Sequence, residues 1–404
     1  MSELPGSNPA LPIPAPVDML AAFTHRPEVL PMSAAERLIS SDDHVDLAHP
    51  AIKERLATRF HPAYDAALGE FGAAMAKSMS GEANGLWRAQ QGLEAGEVAD
   101  MMSLARRRYP AAGRAGHSDP RARLEDLDTD GVDASVMYCE VSAFRYLYLL
   151  KEGNREATRA FNQTMFDFAG VAPKRLIASF QIPIHDIEGA VREVKWVAAQ
   201  GGKSLQLPVF PAELGLPDYW DTRYDPLWQV IQEVDLPICL HIGLNTQMES
   251  LARRDPTPQK GIFVGAVALS TAEPLGMFIM GGVFERFPKL KVVFVEPGLG
   301  WISWWLFIVD DLQARQGYEF PAIQHPPSHY FRQNVYLTFI DEPDAYRHAT
   351  ERLGVDNIMW SSDYPHPVSS WPNSRAVVNK MFDGIPASDR KKIVSGNAAR
   401  IWNL

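Results

Sequence analysis

The segment Asn357-Ile358-Met359-Trp360-Ser361-Ser362-Asp363-Tyr364-Pro365-His366-Pro367 joins a short apolar run to two polar side chains. It follows Gly354-Val355-Asp356, and the run Ile358–Trp360 reads as a buried strand. The prolines stop regular structure, so Asp363 and His366 fall on a loop just past the strand's carboxyl end. A carboxylate and an imidazole placed there can reach one ion or one substrate. The plainer alternative is an Asp that caps the next helix and a His at the surface.

A second polar cluster stands near the other end of the chain. Leu38-Ile39-Ser40-Ser41 reads as a strand and runs into Asp42-Asp43-His44. Residues two apart on a strand share a face, so Asp42 and His44 point together and Asp43 points away. Oxygen with imidazole suits a divalent ion such as zinc, manganese or iron. A third strand, Leu236-Pro237-Ile238-Cys239-Leu240, ends in His241. A lone His after a strand is usually a satisfied core residue. With polar groups already at two other strand ends, His241 is better read as a ligand.

Between these points the chain alternates. Expected strands at Leu38–Ser41, Ala134–Tyr138, Leu176–Phe180, Lys203–Leu207, the run ending at His241, Leu290–Val295, Val335–Thr338 and Ile358–Trp360 are separated by helices. The helices are expected at Arg121–Asp130, Asn154–Val171, Glu188–Ala199, Pro226–Glu233, Pro274–Phe284, Trp301–Gln313 and Asp344–Arg352. Such alternation builds a parallel sheet, and eight units point to a closed (β/α)8 barrel with its site at the strand carboxyl ends. An open doubly wound sheet is the alternative, but no Gly-x-Gly-x-x-Gly turn supports it.

Two regions stand outside the repeat. Residues 1–35 form a Pro-rich arm, with seven prolines among the first 31 residues. Residues 48–120 read as an insertion after strand 1, helical near Ile52–Arg59 and Tyr64–Lys77 and interrupted by glycines. Both are expected to cover the rim or to bury against a second subunit, making a homodimer or larger assembly. Arg106-Arg107-Arg108-Tyr109 within the insertion is either an anion-binding group or a solvated face.

Composition narrows the function. The 404 residues are 46% hydrophobic and 22% charged, with 39 basic against 49 acidic side chains and a net charge of −10. That balance argues against a nucleic-acid surface. Cys139 and Cys239 both lie in apolar runs and read as buried reduced thiols rather than a disulfide. No transmembrane or leader pattern is read, so the expectation is a cytoplasmic enzyme acting on a small molecule.

Three stretches resemble the amidohydrolase superfamily. They are Gly281-Gly282-Val283-Phe284-Glu285-Arg286-Phe287-Pro288-Lys289-Leu290, the Ser362-Asp363-Tyr364-Pro365-His366 loop and Gly396-Asn397-Ala398-Ala399-Arg400. The resemblance covers residues 37–404. It is narrowest to the amidohydrolase-related branch that includes aminocarboxymuconate-semialdehyde decarboxylase and γ-resorcylate decarboxylase. It implies that His44, His241 and Asp363 are metal ligands. Where many members have His-x-His on strand 1, this chain has Asp42-x-His44, and resorcylate-type enzymes place a Glu at the first position. On strand 6 the decarboxylases carry a proton-handling histidine, whereas this chain has Glu296.

Glu296 follows the apolar run Val292–Val295, which places it at the rim facing Asp42 and Asp363. Unpaired there it would suffer repulsion and desolvation, costs that a cation removes. It is therefore expected to touch the ion as a ligand or through its water, the alternative being a cap on a helix starting near Gly298. Minor candidates are Gln206 and Pro208 after strand 4, Glu140 after strand 2, and His185, read as a cap or wall residue. Trp301, Trp304 and Trp305 are spaced for core packing.

The leading functional expectation is a metal-dependent hydrolase. Zinc is the first choice of ion, with manganese or iron as others and room for a second ion. Asp42, His44, His241, Asp363 and Glu296 are its ligands, and Asp363, Glu296 and His366 its acid–base groups. The alternatives are a metal-dependent non-oxidative decarboxylase, a dinuclear oxygen-activating enzyme and a catalytically dead partner subunit.

Overall fold

The computed structural model describes residues 32–33, 35–93, 109–139, 145–343 and 353–404. Its frame is β1 (Ile39–Val45), β2 (Ala134–Cys139), β3 (Leu176–Gln181), β4 (Ser204–Gln206), β5 (Ile238–His241), β6 (Val292–Val295), β7 (Val335–Phe339) and β8 (Ile358–Trp360). The strands pair in that order, each parallel to the next. β8 returns to β1 through Asp363 N to Asp42 O at 2.8 Å and His44 N to Tyr364 O at 2.6 Å. The result is a (β/α)8 barrel.

Every residue of all eight strands is buried. Helices cover the outer face and side chains fill the inner one, so the strands read as apolar runs rather than as alternation. Ile39, Val136, Ile177, Cys239, Val293 and Met359 pack inside the barrel with Trp402 from the chain's end. Asn397 ties that end down, its Nδ2 donating to Val355 O at 2.7 Å and Ile358 O at 2.8 Å at the start of β8. This is the structural work of the Gly396–Arg400 motif.

Strand β1 is longer than its apolar signal. It runs through Asp42-Asp43-His44, and its pairing with β2 slips between Ser40 and Asp43. A slip of this kind re-aims side chains at a barrel rim.

The helix Pro120–Asp130 starts on Asp119, whose carboxylate accepts from Arg121 N and Ala122 N, both at 2.8 Å. It stops at Gly131 in a left-handed turn, φ 72°. The helix expected over Pro274–Phe284 is instead two, Ala272–Met280 and Val283–Arg286. Gly282 divides them at φ 72°, where a Cβ would stand 2.5 Å from Ala322 O.

The described part of the insertion holds helices His49–Arg55, His61–Ser78 and Glu82–Gln90. It leans on the segment after β5, with Asn84 Nδ2 donating to Pro256 O at 2.6 Å and Lys260 Nζ to Ser80 O at 2.7 Å. Residues 1–31 of the arm, Arg106–Arg108, Glu140 and the helix expected over Asp344–Arg352 lie outside the described residues. The helices Thr246–Arg254, Gly261–Val267, Pro327–Asn334 and Ser374–Met381 were not expected from the sequence.

The helical run Pro258–Met280 is long and apolar enough to cross a membrane by length and composition alone. In the fold its Leu275, Phe278 and Ile279 pack into the core, while Ile262, Val264 and Leu269 face outward. Trp304 corrects another expectation: it is 65% exposed, so the tryptophan spacing on helix Ile302–Gln316 does not place all three rings in the core.

Candidate active site

Six side chains from four strand ends meet at the carboxyl rim of the barrel. β1 supplies Asp42 and His44, and β5 ends in His241. Glu296 follows β6, and Asp363 and His366 follow β8. His44 Nε2 and His241 Nε2 face each other at 3.2 Å. Asp42 Oδ1 lies 3.6 Å from the first and 3.4 Å from the second. Asp363 Oδ1 is 3.1 Å from His44 Nε2 and 3.0 Å from His366 Nδ1. Glu296 Oε2 stands 3.7 Å from His241 Nε2.

Burial makes this crowd expensive without a cation. Asp42, His44 and Asp363 are fully buried and His241 nearly so. Both carboxylate oxygens of Asp42 and both of Asp363 have no hydrogen-bond donor outside the imidazoles of the cluster itself. Buried carboxylates are normally satisfied by donors or by a metal. Donor atoms of Asp42, His44 and His241 lie within 4.8 Å of one another. The same holds for His44, Asp363 and His366, and for Asp42, Glu296 and Asp363. Imidazole nitrogens with carboxylate oxygens suit zinc, manganese or iron. The residues present fit a divalent ion.

The proton affinities follow the same crowding. Burial and the neighbouring His366 push His44 below the usual imidazole range. Burial acts the same way on His241, but Asp42 and Glu296 outweigh it and lift that ring to about 9. Burial and then the Asp363 charge raise Glu296 to about 8. Burial opposes ionisation of Asp363, yet His366 and His44 win and hold it well below the usual carboxylate range.

The histidines are oriented by backbone and by each other. His241 Nδ1 meets its neighbour's carbonyl, Ile242 O, at 3.0 Å, which directs Nε2 into the cluster. His366 stacks on His44 with ring centroids 3.9 Å apart. Glu296 and His366 are the partly open members, each side chain 23% exposed. They form the side of the cluster that a substrate can approach.

Glu296 is not a helix cap. The helix Ile302–Gln316 has no side-chain cap, and Glu342 Oε2 accepts from Leu299 N at 3.0 Å and Gly300 N at 3.3 Å in the turn ahead of it. Glu296 is instead held at φ 61°, its own amide donating to Thr338 Oγ1 at 2.8 Å on β7.

With this geometry in place, the comparisons with known proteins decide the family. A family model described as "Amidohydrolase" matches residues 46–404. The chain belongs to that family. Asp42 and His44 lie just upstream of the matched span and are supplied by the structure.

Among the curated relatives of this amidohydrolase is a γ-resorcylate decarboxylase of a Polaromonas species. It is 25% identical over 309 residues, which are 71% of this chain and 87% of that one. Another is a 2-amino-3-carboxymuconate-6-semialdehyde decarboxylase of Dictyostelium discoideum, 20% identical over 291 residues, 71% of this chain and 77% of that one. Among solved structures, the 5-carboxyvanillate decarboxylase of Sphingomonas paucimobilis superposes with a TM-score of 0.66. It is 22% identical and covers 92% of this chain and all of that one. The enzyme of that activity from Novosphingobium aromaticivorans, solved with bound manganese, gives 0.67 at 17% identity over 92% of this chain and 97% of that one. The two structural likenesses bear on the fold.

Both of these relatives carry the names of decarboxylases, not of hydrolases, and the ion bound in one structural neighbour is manganese, not zinc. The amidohydrolase's minor candidates fare less well. His185 is half-buried against Tyr148, ring centroids 5.6 Å apart, and caps nothing. Gln206 is buried on Gln181, whose Nε2 donates to its Oε1 at 2.7 Å. Both cysteines are buried and neither is in a disulfide.

Proposed function

We propose that the chain is a metal-dependent non-oxidative decarboxylase of a small hydroxylated aromatic carboxylate. The observation that carries this reading is the ligand cluster with two acid–base groups, Glu296 and His366, on its one open side. The names of the relatives set the substrate class.

Asp42, His44, His241 and Asp363 would hold the ion. When bound, a divalent ion supplies positive charge for a substrate carboxylate and an adjacent hydroxyl oxygen. Glu296, at the strand-6 position, is placed to give a proton to the ring carbon that carries the carboxylate. The electron pair of the breaking C–C bond then returns to the ring as carbon dioxide leaves. His366, stacked on His44 and bonded to Asp363, is placed to return a proton to the site between turnovers.

The test is to incubate manganese-loaded protein in D2O with 2,6-dihydroxybenzoate, 5-carboxyvanillate and related hydroxybenzoates, and to follow carbon dioxide and ring deuterium. Release of carbon dioxide with one deuterium at the vacated carbon is expected. An inert panel, alongside cleavage of esters, lactones or amides, would return the reading to hydrolysis. A two-ion reading draws support from His366, which forms a further ligand triad that shares His44 and Asp363 with the first ion's proposed ligands. Two ions per chain with oxygen-dependent turnover would favour it.

We also propose that the protein self-associates. Ile262, Val264 and Leu269 face outward on one helical run, and Trp304, Phe307 and Ile308 do so on helix Ile302–Gln316. Gly276 of the first run lies against Trp305 of the second, which sets the two exposed faces near each other. Apolar surface of this kind usually marks an interface.

A further inference from the structure

Three successive amides hold the β8 ligand against β1. Ser362 N donates to Ser40 Oγ at 2.8 Å, Asp363 N to Asp42 O at 2.8 Å and Tyr364 N to Asp43 Oδ1 at 3.0 Å. Asp363, the middle residue, sits at φ 55°, a backbone region that an L-residue keeps only when its surroundings enforce it.

Asp43 points away from the ligand cluster, as its place on the strand requires, and is fully buried. Besides Tyr364 N it accepts from Ser40 Oγ at 2.9 Å and from Ser135 Oγ, and it lies 3.8 Å from Arg123 Nη1. Arg123 is equally buried on helix Pro120–Asp130. Its Nη2 donates to the carbonyl of His44, and its Nε donates to Gly116 O at 2.9 Å. Its guanidinium also lies 4.3 Å from the centre of the Tyr364 ring, whose hydroxyl donates to Asp126 on the same helix.

This one buried ion pair therefore grips the backbone of both ligand-bearing segments, at the His44 carbonyl and the Tyr364 amide. Buried pairs are poor general stabilisers, because desolvation offsets their attraction and apolar packing does as well. What this pair supplies that apolar packing cannot is a fixed distance between the two segments. We propose that Asp43 and Arg123 are a positioning pair that holds His44 and Asp363 at ligand spacing, so that the divalent-ion affinity of the site depends on them although neither touches the ion. The proposal rests on the metal-centre reading above.

The test titrates the metal-free protein with Mn(II) by electron paramagnetic resonance, which gives both affinity and the symmetry of the bound ion. Arg123→Lys keeps the charge and loses the planar fork. Arg159→Lys is the matched control, since Arg159 grips Glu193 by two donors, at 2.9 Å and 2.7 Å, away from the site. Arg123→Lys should bind Mn(II) about 10- to 100-fold more weakly, with an altered spectrum, while Arg159→Lys keeps wild-type binding. Affinities of the two variants within about twofold of each other would overturn the proposal. Should Arg123→Lys fail to fold, Ser40→Ala removes the acceptor of Ser362 N. The same loss of affinity is expected there, and unchanged binding overturns the proposal. Wild-type protein that takes up no ion would remove the metal-centre reading itself. Wild-type uptake matched by Arg123→Lys removes only the positioning pair.

Discussion

Asp363 and Glu296 end β8 and β6 in the same left-handed backbone conformation, at φ 55° and 61°. Each is fastened by its amide, Asp363 to Asp42 O and Glu296 to Thr338 Oγ1. Two carboxylates, on strands separated only by β7, thus carry backbone strain where the polar cluster gathers. Strain of this kind costs on the order of 1–3 kcal/mol per residue.

That strain separates two variants that both lack a carboxylate. Asp363→Gly relieves the left-handed backbone, whereas Asp363→Ala retains it. The metal-free glycine variant should be more stable by about 1 kcal/mol in urea unfolding, the reverse of the usual order. An alanine variant as stable as the glycine one would show that the backbone there is unstrained.

Removing His241 takes away the nitrogen that faces His44. His241→Ala should lose bound metal and all turnover and keep the far-UV circular dichroism of the barrel. Full metal content by elemental analysis in that variant would strike His241 from the ligand set.

Glu296→Gln keeps shape and removes the transferable proton. Turnover should fall by about 10²- to 10⁴-fold with metal stoichiometry unchanged, the range for loss of a positioned acid or base. A drop in bound metal instead would make Glu296 a ligand first. If both rate and stoichiometry hold, Glu296 has no part in the chemistry.

Self-association predicts a dimer or larger species in sedimentation. A charge placed on the exposed helix face, Phe307→Glu, should shift it toward monomer. A wild-type monomer at micromolar concentration would overturn self-association through this face.

The barrel was legible because eight apolar runs alternate with helices, and no competing pattern imitates that. The members of the rim cluster were legible because Asp42, His44, His241 and Asp363 each stand at or just past a strand end. What escaped was information that side-chain periodicity does not carry. The slip in β1 and the left-handed turns at Glu296 and Asp363 are backbone events. Asp43 looked idle because it faces away, and Arg123 sits in a charged helix that reads as solvent-facing. The spacing of Trp301, Trp304 and Trp305 describes a helix face, yet nothing in it says whether that face meets the barrel or water.

The bond from Tyr364 N to Asp43 spans 321 positions of the chain. The two halves of the site therefore leave a ribosome far apart in time. At about 5–20 residues per second, roughly 15 to 60 seconds pass between them. Until the last strand emerges, Asp42 and His44 have no Asp363 to meet, and a nascent chain offers only part of a ligand set. On the proposed ligand set, the full complement of side chains thus comes together late in biosynthesis, and a chain interrupted before its eighth strand would lack both the closing strand and Asp363.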